Sequence, residues 1–483
     1  MASIHPSSML RYFICIICVI LHFRFLPSIA AGPLVGVEVL DAMSPAMEKA
    51  LDRGDRFGRD LAGLGDVDGD GVIDLVAGTR SDDDGAEDAG AAYVLFLNSD
   101  GTIKKQQKLS ALEGGFGNEF LEGVQSTFLG YGVAGIGDVN GDGVPDLAMT
   151  QARAGGRRGV GALHVVFLNK DGSVLLKNTT QGVPGFGLAS LGDLDKDGRV
   201  EVAACFPEAD DGGSRQGAIE IYSINPNGSV SRRQRISSVS GGLGDVLNDG
   251  DRFGGRDVSV LGDLDGNGVS DLAVGAFGTD EGRGAVWVLL LDRKLSVIDK
   301  ARLGNGSPGF SLPLDPEDNL GHAVVGVGDL DGDGVGDLVT GANRDDDAGE
   351  DTGALIVMLL NPDGSLKAAR KFIGEDAGFE LNLPEGGRFG RSLGLIGSGG
   401  YGNLLRLAVG GGAGTTGSIS ILFLDPRQLG EAVLSSVEST RNEKAKYDDS
   451  ANAEMRPHRR SSEQGHINRQ HRPFRERFHQ RND

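Results

Sequence analysis

Asp329, Asp331, Asp333 and Asp337 lie within nine residues, and Leu338 and Val339 follow at once. Like charges at this density repel. They persist where a cation is held between them or where the segment is unfolded, and the apolar run that follows argues against unfolding. The spacing suits a cation held by oxygen. Positions 1, 3, 5 and 9 carry carboxylates, Gly334 at position 6 permits a tight turn, and Val335 at position 7 offers its backbone carbonyl. Calcium takes about six to eight hard oxygen ligands in a loose geometry, whereas magnesium demands a stricter octahedron and keeps its waters. Zinc prefers Cys and His, and none is near. An EF-hand needs a bidentate Glu at position 12 and flanking helices, but Thr340 stands there and Leu338–Ala342 reads as a short strand.

The pattern recurs four times: DVDGDGVID (Asp66–Asp74), DVNGDGVPD (Asp138–Asp146), DLDKDGRVE (Asp193–Glu201) and DLDGNGVSD (Asp263–Asp271). Replacements at ligand positions keep an oxygen, as at Asn140, Asn267 and Glu201. The position-7 carbonyls belong to Val72, Val144, Arg199 and Val269. A sixth place, GSGGYGNLL from Gly397, has no carboxylate and is expected to bind nothing.

The elements around these loops repeat as well. A Phe-Gly or a relative precedes each one: Phe57-Gly58, Tyr131-Gly132, Phe186-Gly187, Phe253-Gly254, Leu320-Gly321 and Phe389-Gly390. A short apolar run follows the loop. Then Gly-Ala or Gly-Ser opens a longer strand at Gly90, Gly161, Gly217, Gly284, Gly353 and Gly417. Most of these strands end in Asn or Asp and a turn, and a further short strand follows. Four short strands per unit, repeated at about seventy residues or a little less, signal an all-β propeller with calcium loops. Units are expected near 51–110, 125–177, 182–235, 249–302, 316–373 and 385–437, within a domain spanning 33–440. Six blades are counted, with seven as the alternative.

The Phe-Gly, the DxDxDGxxD loop and the Gly-Ala turn together resemble the FG-GAP repeats of the integrin alpha-subunit N-terminal β-propeller, over about residues 51–425. The resemblance implies calcium at the loop joining the first two strands of a blade, in up to five sites. Carried over, the ligands are Asp66, Asp68, Asp70 and Asp74; Asp138, Asn140, Asp142 and Asp146; Asp193, Asp195, Asp197 and Glu201; Asp263, Asp265, Asn267 and Asp271; and Asp329, Asp331, Asp333 and Asp337. Integrin propellers have seven blades, and those subunits carry leg domains, a membrane span and a cytoplasmic tail that this sequence does not contain.

The formal net charge is −22, and the five loops together hold 18 carboxylates, so metal sites explain most of the acidity. Nothing here points to nucleic acid. Residues 1–30 read as a signal peptide. Arg11 precedes the apolar run Tyr12–Leu21, and Ser28-Ile29-Ala30 offers a cleavage site. An uncleaved membrane tether is the alternative, because His22 and Arg24 interrupt the run. Beyond that segment Cys205 is the single cysteine, so no internal disulfide is expected. Asn178, Asn227 and Asn305 open N-x-S/T sequons, the glycosylation signal of a secreted chain's surface turns. Residues 441–483 are polar and basic and read as a disordered tail.

Other motifs have plainer explanations. Arg53-Gly54-Asp55 spells an adhesive tripeptide, but NDGDRFG at Asn248 and PEGGRFG at Pro384 put the same turn before other Phe-Gly pairs. Gly390–Gly394 matches G-x-S-x-G, yet no helix follows and every downstream histidine lies in the tail. Gly397–Gly402 fits GxGxxG without the strand–helix context that motif needs. His164, His322 and Trp287 are read as structural.

With no catalytic constellation, the chain is read as a secreted, monomeric, non-enzymatic propeller that binds a protein or glycan ligand in adhesion. The alternative is a propeller-scaffolded extracellular hydrolase or lyase acting on polysaccharide or ester. Val35–Leu40 is expected to complete the sixth blade beside Ile419–Leu424, with Glu431–Val437 as the rival. The ligand face is expected opposite the calcium loops. There Arg80–Asp88 and Arg344–Asp351 are acidic, while Arg153, Arg157 and Arg158 are basic.

Overall fold

The computed structural model describes residues 32–436 except 49, 122–125, 154–160, 375, 377, 399–403, 413 and 415. The expected signal peptide and basic tail lie outside these residues, as does most of the carboxylate-free sixth place. Among the described residues, no helix is long and apolar enough to cross a membrane.

Six four-stranded antiparallel sheets follow one another along the chain. Blade 1 runs Leu61–Gly65, Asp74–Thr79, Ala91–Leu97 and Ile103–Leu109. Blades 2 to 5 occupy 129–183, 187–236, 253–304 and 320–372 in the same order. Blade 6 takes Ser392–Ser398, Leu405–Gly411 and Ser418–Leu424 from the C-terminal side. Its outer strand is Leu34–Leu40, paired antiparallel so that Val37 faces Leu422 and Leu40 faces Ile419. The N-terminal closure expected from the sequence is therefore present. The rival segment does something else: residues 426–436 form a helix, and Leu429 and Val433, one turn apart, drop into the core beside blade 6.

The first strands of successive blades touch one another in a closed cycle around the axis. Second and third strands are apolar on both sides because both sides are covered; all of Ala91–Leu97 is buried. Outer strands have one wet face, as in Ile103–Leu109. The core is divided accordingly into six apolar clusters, one in each gap between neighbouring blades. In the third strand of blade 4, Trp287 and Leu289 face blade 3, while Val288 and Leu290 face blade 5.

The repeated Phe-Gly and Gly-Ala pairs are two halves of one joint. Gly90, Gly217, Gly284 and Gly353, each opening a third strand, make parallel bridges to Leu129, Phe253, Leu320 and Phe389 of the next blade, so the blade 2 pair at this joint is Leu129-Gly130 and not the expected Tyr131-Gly132. Between the last and first blades, the Phe57 N–H donates to Thr416 O at 2.6 Å. At Gly284, φ is +86°, and a Cβ would lie 2.0 Å from Leu320 O. No side chain fits there, which is why glycine recurs at this point of the repeat.

Two outcomes follow. Gly284→Ala should cost upwards of about 2 kcal/mol in chemical denaturation, through left-handed strain and lost blade contact. Deleting residues 34–41 should lower Tm clearly, since blade 6 then ends in a bare edge. An unchanged Tm would mean that Leu34–Leu40 does not seal the ring.

Candidate metal centres and the axial cluster

All five acidic loops join first to second strands, so they gather at one end of the blades. The loops between second and third strands and the blade-to-blade linkers lie at the other end. Each loop is folded by its first aspartate. Asp66 accepts hydrogen bonds from the N–H groups of Gly69, Asp70 and Gly71 at 2.8, 2.9 and 2.8 Å. Asp138 and Asp329 bind the equivalent three groups, Asp193 two of them, and Asp263 the N–H of Gly268. The position-7 valines turn inward: Val144, Val269 and Val335 are buried.

Position 9 is a structural pin as well as a ligand candidate. Asp337 is buried, and its two oxygens accept the N–H groups of Leu330 (2.8 Å) and Leu360 (3.0 Å), tying the loop to the third strand. Asp74, Asp146 and Asp271 make the same pair of bonds. Glu201 reaches Leu194 N–H and the Ser223 hydroxyl instead. Burial pushes the carboxyls of Asp74, Asp146 and Asp271 up to about 6 and that of Asp337 up to about 7.

Four loops bring three carboxylates together, with one oxygen from each within 4.8 Å of the others: Asp66, Asp68 and Asp70; Asp193, Asp195 and Asp197; Asp263, Asp265 and Asp271; and Asp329, Asp331 and Asp333. In the second loop Asn140 replaces one acid and donates to Asp142 at 2.9 Å. In the fourth, the Asn267 side-chain amide donates to Leu291 O and its oxygen accepts from Val269 N–H. The donor set suits a hard divalent cation. Asp68 Oδ1, Asp195 Oδ1 and Asp331 Oδ1 are buried without a hydrogen-bond partner, as fits oxygens that would coordinate a metal.

The sequence reading missed the side chains that face these carboxylates. Lys104, on the fourth strand of blade 1, lies 2.8 Å from Asp68 and 2.7 Å from Asp70. Lys367 takes the same place in blade 5, 2.6 Å from Asp331, and Arg233 reaches Asp197 at 3.1 Å in blade 3. Hydrogen bonds to these acids hold both ammonium groups above their ordinary pKa. Blades 2 and 4 carry Leu175 and Ile298 at the Lys104 position, both largely exposed. Loops 1, 3 and 5 thus have a tethered cation that any metal must displace.

The second set of residues that the sequence kept apart lies on the axis. Side chains at the joint end of the first strands converge there: Arg59, Tyr131, Arg256, His322 and Arg391 line one small cavity with Asp60 and Asp257. The repeat register was the available signal for this convergence. Ser392 of the G-x-S-x-G match lines the cavity too, but its hydroxyl donates to Gly58 O (2.7 Å), and His322 Nδ1 lies 2.8 Å from Arg391 O. Serine and histidine are each occupied by backbone rather than by each other, so no nucleophile is activated. His164 is buried against Thr179 and Gln151, and Trp287 is core, as expected. Asp55 of the Arg-Gly-Asp tripeptide is buried and accepts Asp52 N–H at 2.7 Å; Asp251 and Asp318 hold the same turn in later units. Of the sequons, Asn227 and Asn305 are exposed. Asn178 instead sits in a strand, where its amide donates to Asn227 O at 2.5 Å.

Replacing Lys104 and Lys367 together by Met should lower the calcium concentration at half-maximal Tm shift by about three- to tenfold, because the competing cations are gone. An unchanged or higher midpoint would refute their competition with metal. In chelator, stability should fall as pH rises from about 5 to about 7.5. A raised carboxyl stabilises below its unfolded value near 4, and that contribution is lost as pH climbs through the folded value. Burial pulls His164 down to about 3 and His322 well below its ordinary value, which works in the opposite direction below about pH 6.5, but two histidines are outnumbered by the four position-9 acids. Calcium should flatten the profile; a flat profile in chelator would refute the assignment.

No family model matches the chain. Among curated proteins it is 34% identical over 176 residues to integrin alpha-4 of Xenopus laevis, covering 34% of this chain and 15% of that protein. It is 33% identical over 167 residues to integrin alpha-5 of Xenopus laevis, covering 32% and 15%. It is 31% identical over 236 residues to integrin alpha-8 of Mus musculus, covering 46% and 20%. The matches thus span only 15% to 20% of those relatives' lengths. By these similarities and by its six closed blades, the chain resembles the FG-GAP propeller of integrin alpha subunits.

Proposed function

We propose that the protein is an extracellular calcium-binding propeller that holds a protein or glycan ligand in adhesion, on the face opposite its metal loops. One observation carries this reading: the acidic loops gather at one end of a closed ring, and the loops at the other end differ most between blades in length and charge. The similarity to integrin alpha subunits supports a binding module over a catalytic one. Calcium is the cation the all-oxygen loops favour, in as many as five sites.

The acidic loops on the proposed ligand face are partly spoken for. Lys108 bridges Asp82 (2.7 Å) and Asp84 (2.8 Å), and Lys371 pairs with Asp345 and with Asp347 (2.9 Å). Asp82 and Asp345 are buried. These acids shape their loops, whereas Asp83, Glu87, Asp346 and Glu350 are exposed; Asp83 and Asp346 each use one oxygen to accept a backbone N–H, of Asp88 (2.8 Å) and Asp351 (2.6 Å), an acceptor that an amide side chain would keep. Arg153 adds positive charge to the same end, and Arg157 and Arg158 lie outside the described residues.

Screening the calcium-loaded protein against glycan and extracellular-protein arrays should yield a ligand that is lost in chelator. Changing Asp83, Glu87, Asp346 and Glu350 to their amides should weaken that ligand about tenfold or more with Tm unchanged. Undiminished binding would place the ligand elsewhere on the molecule.

A further inference from the structure

The axial cavity gathers more positive charge than its surroundings neutralise. Arg59, Arg256 and Arg391 line it, and Arg80 stacks beside it on the Tyr131 ring. Arg59 and Arg256 pack over the same ring, at 5.3 and 5.4 Å from its centroid. Among the described residues, no carboxylate lies within ion-pair distance of any of these four guanidinium groups. The two acids on the cavity wall are turned to backbone: Asp60 accepts Val133 N–H (2.8 Å), and Asp257 accepts Val258 N–H (2.9 Å). Burial raises both, Asp60 to about 7. Arg59 is only 5% exposed, yet its Nε and one terminal nitrogen have no partner; Nε of Arg80, Arg256 and Arg391 is likewise buried and unpaired.

A buried guanidinium with unpaired nitrogens, as in Arg59, is costly, and the half-buried Arg80, Arg256 and Arg391 beside it add repulsion. The strain is visible in the neighbours. Burial, then Arg256, brings Arg391 down to about 9. Burial alone would raise the Tyr131 phenol, but Arg256, Arg59 and Arg80 outweigh it and bring it to about 6. Tyr131 accepts one bond, from Arg256 at 2.6 Å, and leaves the other unpaired donors unanswered. The cavity measures about 10 Å³, room for one body of water or small-ion size and too little for a sugar, carboxylate or phosphate.

We propose that this cavity is a structural halide site: one chloride ion held on the propeller axis by Arg59, Arg256 and Arg391, joining blades 1, 4 and 6 from the face opposite the metal loops. The proposal does not rest on the adhesive reading, since it concerns the ring's integrity and not its ligand.

Two measurements test it on the calcium-loaded chain. Tm should rise with sodium chloride and saturate, by about 3 °C or more, against sodium gluconate at equal ionic strength, because gluconate cannot enter. Arg391→Gln should abolish that difference. Crystals soaked in sodium bromide should show an anomalous peak between Arg59, Arg256 and Arg391, a readout that needs no variant to fold. Equal Tm in the two salts, or bromide found only on the outer surface, would overturn the site.

Discussion

A four-stranded sheet that is apolar on both faces cannot stand in water alone, and everything else in this molecule depends on that fact. Each blade buries its faces only against two neighbours, so the six clusters between blades are stable together or not at all. Closure is enforced at two radii. Near the axis, the joint of Phe-Gly and Gly-Ala passes from each bridged blade to the next and from blade 6 back to Phe57. At the rim, Leu34–Leu40 completes a sheet begun at residue 392, so the first and last strands of the described residues are held in one sheet.

The acidic loops exploit this frame and also burden it. Their position-9 carboxyls are buried hydrogen-bond acceptors that set the reach between first and third strands, and they remain uncomfortable when ionised. The other carboxylates face outward in tight clusters. A divalent ion would relieve both, by offsetting the repulsion and by supplying the buried acids with positive charge. Loops 1, 3 and 5 have a partial substitute in Lys104, Arg233 and Lys367, whereas among the described residues no such ion pair reaches loops 2 and 4. Equivalent loops in one ring are thereby given unequal dependence on metal.

Much of this was legible in the sequence because repetition averages out local ambiguity. One acidic nonapeptide is only a turn, but five in register with Phe-Gly and Gly-Ala fix strand order, blade count and the partner of Val35–Leu40. What repetition did not encode stayed hidden. Glu431–Val437 reads as a rival outer strand, but with Leu34–Leu40 already paired to Ser418–Leu424, residues 426–436 form a helix whose Leu429 and Val433 pack into the cluster between blades 5 and 6. Lys104 and Lys367 lie more than thirty residues from the acids they face, joined by the pairing of strands and not by any motif. Asp82 and Asp345 looked like free surface charge until their burial against Lys108 and Lys371 showed otherwise. The axial cluster was hardest, since Arg59 and Arg391 are 332 positions apart in a sequence whose first and last blades happen to be neighbours.

The two charge concentrations lie at opposite ends of the same strands, which has a mechanical consequence. Carboxylates repel around the rim at one end, and guanidinium groups repel on the axis at the other. In each case a small ion of opposite sign, if bound, would offset the repulsion. A ring built from identical joints has no single keystone. Ions at both ends would let such a ring be tightened from each side, with the loops answering to the cation and the axis to the anion.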